Sequence, residues 1–263
     1  MLINFTKMHG AGNDFIVIDN RNGSFNTSDA YFVKLLCHRR FGIGADGMIL
    51  LEEEDGYDFK MVFMNNDGSI GSMCGNGGRC IVHFAYHTLD IISNPKQVRF
   101  MAVDGIHEAE INGDQVKLKM QDVSEISIRN GLTFLRSGTT PHHISFVENL
   151  ENFPVCTEAR IIRDNDDNPN GVNVNYVEEK DGVFHVRTYE RGVEDETLAC
   201  GTGATSVAIA LSHLGKLGEA NICKIKMPGG ELEVCFEKMP DRTYENIWLT
   251  GPAVKVFEGK IEL

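Results

Sequence analysis

The sequence predicts an α+β protein of two pseudo-symmetric domains, each a curved, mostly antiparallel sheet or barrel around one central helix, with the active site in the cleft between them. Three observations carry this reading. Alternating, strand-like segments outnumber helical ones; a Cys-Gly-x-Gly turn opens a helix twice, in "MCGNGG" and "ACGTGA"; and the landmarks around those turns repeat at a nearly constant offset. Cys74 and Cys200 lie 126 positions apart (200 − 74), "HGAGND" from His9 and "SGTTPH" from Ser137 lie 128 apart (137 − 9), and the turn glycines Gly105 and Gly230 lie 125 apart (230 − 105). The halves divide as 1–119 and 120–263, joined near "MQDVSEIS", with the C-terminal tail packing onto the first half.

Taken in order, "FIVIDN" alternates as a half-buried strand does. "TSDAYFVKLLCHRRFG" starts with Ser/Asp capping residues, places Phe32, Leu35 and Leu36 on one helical face, and stops at Gly42. "GNGGRCIVHFAYHTL" carries Ile81, Phe84, Ala85 and Leu89 at helical spacing, and "VDGIHEAEI" follows it as a turn and strand. In "QVKLKMQDV", Val116, Leu118 and Met120 take one face and Lys117 and Lys119 the other. "DNDDNPNG" (164–171) reads as a solvated loop. "GTGATSVAIALSHLG" is apolar nearly all round, with Val207, Ala210, Leu211 and Leu214 at helical spacing and Gly215 at its end. A helix of that kind lies inside a domain, so its N-terminus points at something interior.

Composition narrows the function. The 263 residues, 42% hydrophobic and 24% charged, suit one large domain or two of about 130 residues. A net charge of −13 excludes an extended phosphate-binding face, so no nucleic-acid partner is expected. No run approaches the ~20 apolar residues of a membrane helix, and "MLINFTKMHG" lacks the apolar core of a signal peptide; a cytoplasmic location follows. Seven irregularly spaced cysteines fit neither a disulfide scaffold nor paired zinc knuckles, so no metal is expected, and Cys37, Cys80, Cys156, Cys223 and Cys235 read as packing thiols.

Cys74 and Cys200 differ from these five by position. A helix N-terminus carries about half a positive charge in unpaired N–H groups, which lowers the pKa of a cysteine there and offers donors to an anion. Glycines after the cysteine let the backbone approach a ligand closely. A carboxylate held by both turns would suspend its α-carbon between two sulfurs: one removes the α-proton, the other delivers a proton from the far side, and the stereocentre inverts. The N–H donors stabilise the charge that develops, and no cofactor is required.

These motifs identify the chain as similar to the diaminopimelate epimerases, across "MHGAGNDF", "GIGADG", "MNNDGS", "MCGNGGRC", "TTPHH", "VNVNY", "YERGVEDETLACGTGA" and "TGPAV". The resemblance implies the two-domain fold, no cofactor, a homodimer with a surface around Phe257, and conversion of LL- to meso-diaminopimelate in lysine and peptidoglycan precursor biosynthesis. It implies that Cys74 and Cys200 transfer the protons, with His142 and Glu190 helping to set their protonation. Gly75, Asn76, Gly201 and Thr202 match contacts to the reacting end of the substrate; Asn13, Asn65, Asn173, Glu190 and Arg191 match ligands gripping it, chiefly at its distal end. Thr140 stands where many relatives carry Asn and is retained as a substrate contact; Gly47 stands where many carry Gln and offers no side chain.

Other readings remain open at this level. Taken alone, either cysteine reads as a small buried residue, His142 as a core histidine, and Asn13 as a left-handed turn residue. A related cofactor-independent racemase or isomerase of the same fold is the near alternative. A thiol redox protein using Cys74 and Cys200, and a non-catalytic amino-acid-binding protein, are alternatives of other classes.

Overall fold

The computed structural model describes residues 2–26, 29–124, 126–129, 132–137, 140–163 and 171–262. The "DNDDNPNG" loop, apart from Gly171, lies outside them. The chain divides into two units, residues 1–118 with 251–263, and residues 119–250.

The first unit contains β1 (Leu2–Gly10), β2 (Asn13–Asp19), α1 (Ala30–Cys37), β3 (Gly47–Glu52), β4 (Phe59–Asn65), α2 (Gly75–His87), β5 (Val98–Ala102), β6 (Gly105–Asn112) and β7 (Gln115–Lys119). It also takes the last strand of the chain, Val254–Glu262, antiparallel against β1. From that strand the ladder runs β1, β2, β3, β4, β5, β6, β7, and each pair is antiparallel except β2–β3 and β4–β5.

The second unit contains β8 (Ile126–Arg129), β9 (Leu132–Ser137), β10 (Thr140–Phe146), α3 (Val155–Arg163), β11 (Asn173–Lys180), β12 (Val183–Glu190), β13 (Asp195–Thr197), α4 (Gly201–His213), β14 (Ile222–Met227), β15 (Gly230–Lys238) and β16 (Tyr244–Pro252); the last strand is β17. Its ladder runs β8, β9, β10, β11, β12, β14, β15, β16, with parallel pairs only at β10–β11 and β12–β14. Each unit therefore repeats one order of pairings: two antiparallel, one parallel, one antiparallel, one parallel, two antiparallel. A helix bridges each parallel step, as a parallel crossover requires: α1 and α2 in one unit, α3 and α4 in the other. The duplication legible in the sequence is a duplication of topology.

The central helices are enclosed by their own sheets. Every residue from Asn76 to Ala85 of α2 is buried, and α4 is buried from Gly203 to Ser212. Helix α2 packs on β1, β2, β3, β4 and β6, and α4 on β9, β10, β11, β14 and β15. Among the described residues, no helix is long and apolar enough to cross a membrane.

Two local expectations change. Strand β2 is buried on both faces from Phe15 to Ile18, not half-buried. Ile16 and Ile18 pack with Val33, Leu36 and Cys37 of α1, while α2 packs against β2 as well, so strand and helix cover leave neither face for water. Helix α1 ends at Cys37 rather than running to Gly42, and it buries Val33, Leu36 and Cys37 rather than Phe32 and Leu35. Asp29 caps its start by accepting from the Phe32 amide. At its other end His38 is extended, and its Nδ1 accepts from the amides of Arg40 and Phe41 at 3.1 Å each, a local turn that competes with another helical turn.

Candidate active site

In the first unit, Cys74 is the N-cap of α2. Its backbone is extended (φ −91°, ψ 125°), its carbonyl accepts from the Gly78 amide at 2.7 Å, and its side chain makes no capping bond. The thiol is thereby left for other work. Asn13, the first residue of β2, accepts at Oδ1 from Cys74 Sγ at 3.6 Å and from Asn76 Nδ2 at 3.2 Å. The amide orientation follows from its other end, where Asn13 Nδ2 donates to Asp46 Oδ2 at 2.8 Å. Asp46 belongs to "GIGADG" and is held in an ionic cluster: Arg39 bonds Asp46 and grips both Asp14 oxygens, and Lys7 bonds Asp14 and the Gly44 carbonyl. Burial raises the Asp14 pKa, but Arg39 and Lys7 more than offset it and hold the carboxyl far below the usual range.

Behind the same helix turn lies Arg79, fully buried. Its guanidinium donates to Asn76 Oδ1 at 2.8 Å, the Gly75 carbonyl at 3.3 Å and the Pro252 carbonyl at 3.4 Å. All three partners are neutral, so among the described residues this cation has no paired carboxylate. Burial lowers its pKa, while the thiols of Cys80 and Cys74 lie close enough to raise it. A buried guanidinium with neutral partners adds positive potential to a helix N-terminus that is already positive, which suits a bound anion or a thiolate. Asn65, at the end of β4, donates from Nδ2 to Ser69 Oγ at 3.0 Å in the β4–α2 connection.

In the second unit, Cys200 is the N-cap of α4 (φ −124°, ψ 113°), buried, with its carbonyl accepting from the Ala204 amide at 2.9 Å. Thr202 Oγ1 lies 3.6 Å from Sγ. The helix end is expected to lower this thiol's pKa, but the balance is reversed. Burial first, and the Glu190 charge second, push Cys200 well above the ordinary thiol value and outweigh the bonds from Thr202 and the Gly203 amide. Glu190 also bonds the thiol and accepts at Oε1 from Thr197 Oγ1 at 2.6 Å, so a carboxylate is stationed beside a protonated sulfur.

His142 on β10 and Asn173 on β11 are paired across the parallel step, and Asn173 Oδ1 accepts from the Arg191 amide at 2.8 Å. Asn175 lies two residues further along the same strand, fully buried, with Thr188 opposite. Its Oδ1 accepts from Thr188 Oγ1 at 2.9 Å, and its Nδ2 reaches the His143 carbonyl at 3.0 Å and His142 Nδ1 at 3.2 Å. Both amide hydrogens are thus donated, Nδ1 of His142 must accept, and the proton of the neutral ring sits on Nε2. Burial holds the ring neutral by depressing its pKa to about 3, with Arg191 adding to the effect. Its Nε2–H is buried with no partner among the described residues, which makes it a hydrogen-bond donor with nothing to donate to. Gly203 in the first turn of α4 permits this packing: a Cβ there would lie 2.6 Å from Asn175 Oδ1 and 3.2 Å from Cys200 Sγ.

Thus Cys74, Gly75, Asn76 and Asn13 come together in the first unit, with Asn65 on the strand that leads toward them. Cys200, Gly201, Thr202 and Glu190 come together in the second, with the His142–Asn173–Arg191 group on adjoining strands. Thr140 begins β10, and its side chain lies outside the described residues. Gly47 has a steric reason: a Cβ would meet the Phe63 ring at 2.6 Å and the Met64 carbonyl at 2.8 Å, so Phe63, packed edge-on to Phe15, fills the space a glutamine would need. Sequence reasoning missed Asp46, Arg79, Asn175 and Thr188. Asp46, Arg79 and Asn175 sit inside quoted motifs, whereas nothing in the sequence marks Thr188, and its meeting with Asn175 depends on the register of β11 and β12.

The described geometry accompanies clear likenesses to known proteins. A family model described as diaminopimelate epimerase matches residues 5–126 and 134–256. A diaminopimelate epimerase of Flavobacterium psychrophilum is 49% identical over 258 residues, covering 97% of this chain and 98% of that protein. One from Chlorobaculum tepidum is 46% identical over 267 residues, covering 97% and 100%. Among solved structures, a phenazine biosynthesis protein of the PhzF family from Bacillus anthracis superposes with a TM-score of 0.80 at 12% identity, covering 100% of both chains. A probable proline racemase from Agrobacterium radiobacter does so with a TM-score of 0.71 at 16% identity, covering 99% of this chain and 93% of that one. Those two likenesses concern the fold alone.

Proposed function

The chain belongs to the diaminopimelate epimerase family, and from that premise we propose that it interconverts LL- and meso-diaminopimelate by two-base proton transfer between Cys74 and Cys200, in lysine and peptidoglycan precursor biosynthesis. The observation that carries this reading is the duplicated helix start: in each unit a cysteine N-caps the enclosed helix, uses no side-chain capping bond, and lies among polar side chains.

One thiolate takes the α-proton, the C–H electron pair passes into the carboxylate-stabilised carbanion, and the opposite thiol gives its proton to the other face of the carbon. The stereocentre inverts and the two sulfurs exchange protonation states, so the enzyme is ready for the reverse reaction. The substrate carboxylate takes the backbone amides at the two helix starts, those of Gly75, Asn76, Gly201 and Thr202, whose donors gain strength as charge develops. Arg79 adds positive potential to the Cys74 side. On the other side Glu190, bonded to the Cys200 thiol and disfavouring its ionisation, helps to set that sulfur's protonation, and His142, fixed as an Nε2–H donor, serves the site by donating rather than by taking a proton. Asn13, Asn65, Asn173, Thr140, Glu190 and Arg191 bind the substrate; Arg191 suits a carboxylate at its distal end. No cofactor enters the reaction. A cytoplasmic homodimer completes the reading, and Val254, Val256 and Phe257, exposed apolar residues of β17, offer a surface for the second copy.

The test is incubation of metal- and pyridoxal-free protein with diaminopimelate in D₂O, following the α-carbon by NMR. Deuterium enters as the LL and meso forms interconvert; binding without exchange would leave an amino-acid-binding protein. Glu190 has a separate signature. Glu190→Gln removes the negative charge that disfavours the Cys200 thiolate, so the pH midpoint for alkylation of Cys200 by iodoacetamide moves down, with alkylation at fixed pH rising about tenfold per pKa unit lost, while α-exchange slows. An unmoved midpoint would show that Glu190 does not act on this thiol.

A further inference from the structure

Far from Cys74, the last turns of α2 carry a second chemical grouping. His83 and His87 are four residues apart and share a helix face, with ring centroids 4.4 Å apart and planes inclined at 43°. Both imidazoles reach the tight turn between β6 and β7. His83 Nε2 lies 3.1 Å from Asp114 Oδ1, and His87 Nε2 lies 3.0 Å from the Gly113 carbonyl. One donor atom from each of His83, His87 and Asp114 falls within 4.8 Å of the others.

We propose that His83, His87 and Asp114 bind one borderline divalent transition-metal cation, of the Zn²⁺ or Ni²⁺ type, with water completing its shell. Two imidazoles and one carboxylate form a nitrogen-rich set that suits such ions rather than Ca²⁺ or Mg²⁺, which prefer all-oxygen shells. Ligands about 2.0–2.2 Å from a tetrahedral zinc are roughly 3.3–3.5 Å from each other. The His83–Asp114 spacing is close to that already, and the widest gap closes by rotation of the exposed His87 side chain. The partners differ in mobility in a useful way. His83 is buried and anchored, with its Nδ1 unpartnered among the described residues, whereas the Asp114 side chain is 75% exposed and open to an ion arriving from solvent. The C-terminal end of α2 carries the negative pole of its dipole, which also favours a cation there. Lys255 is close enough to oppose it, and its ion pair with Glu258 at 2.9 Å moderates that charge.

The bound ion would join the last turn of α2 to the β6–β7 hairpin. His83 is nine residues beyond Cys74, about 14 Å along the axis, so the ion acts on the anchorage of the catalytic helix and not on the chemistry. The same set explains why cysteine spacing did not signal a metal: the third ligand comes from a hairpin 27 residues after His87 (114 − 87).

The experiment is Co²⁺ titration of the full-length reduced protein, followed by absorption, with Zn²⁺ competition and thermal unfolding. Wild type takes up one equivalent with a visible band lacking sulfur-to-metal charge transfer, and Zn²⁺ displaces it and raises Tm. His87→Ala and Asp114→Asn, both exposed positions, lose that equivalent and the Zn²⁺ shift in Tm while keeping wild-type epimerase activity without added metal. The same uptake in His87→Ala as in wild type, or a band dominated by sulfur charge transfer that vanishes in Cys74→Ala or Cys200→Ala instead, would overturn the site.

Discussion

Alanine at Cys74 or at Cys200 is expected to lower epimerisation by at least about 10²–10⁴-fold, the usual contribution of a positioned proton-transfer group, with the fold intact. The two sulfurs are not alternatives, because inversion needs a proton taken from one face and a proton given to the other. A variant with one sulfur can at most exchange the α-proton of a single configuration. The backbone roles survive the change: each cysteine caps its helix through its carbonyl, at 2.7 Å to Gly78 and 2.9 Å to Ala204, and neither uses its side chain as a cap. Far-UV circular dichroism and Tm should therefore stay near wild type while NMR in D₂O shows no interconversion of LL and meso forms. Full activity in either variant would falsify the two-base assignment.

A second large effect belongs to stability. Burial depresses the pKa of His142 to about 3 and of His143 to about 4, against 6.5 in the unfolded chain. As pH falls the unfolded chain therefore takes up protons first, so the folded state loses stability from about pH 6.5 downward, and the loss levels off only near the folded values. At pH 5 each histidine costs about 2 kcal/mol relative to pH 8, at 1.36 kcal/mol per pKa unit. Carboxylates with lowered pKa act in a lower window: Glu194, held at about 2 by Arg163 and the Gly192 amide against 4.5, loses its contribution only as pH falls from about 4.5 toward 2. Urea unfolding between pH 8 and 5 should show the decline, and His142→Gln or His143→Gln should each flatten it. A wild-type stability unchanged from pH 7 to pH 5 would mean that these rings are hydrated or protonated in the folded protein.

Within the site, legibility in the sequence follows the range of the interaction. Cys74 and Cys200 could be read directly, because a helix start leaves a local mark: a capping residue, glycines behind it, then apolar periodicity. Asn13 was readable as a candidate, but not the reason its amide oxygen faces Cys74, which is Asp46, 33 residues away (46 − 13). Arg79 lay in plain view inside "MCGNGGRC", yet its charge becomes unusual only once it is fully buried among neutral oxygens. The tautomer of His142 needed Asn175 and Thr188 to meet across the β11–β12 register. Helix α1 was placed correctly and ended too late, because the amides of Arg40 and Phe41 find His38 Nδ1 instead of continuing the helix.

The sequence by itself determined the duplicated α+β architecture, the two enclosed helices and the cysteine at the head of each, since periodicity, capping and internal repetition are properties of neighbouring residues. Tertiary structure alone decided that Cys200 is held as a thiol beside Glu190, that β2 is covered on both faces, and that Phe63 fills the space beside Gly47. Those outcomes depend on desolvation and on partners distant in the chain, and neither exists until the strands have paired and the helices have been enclosed.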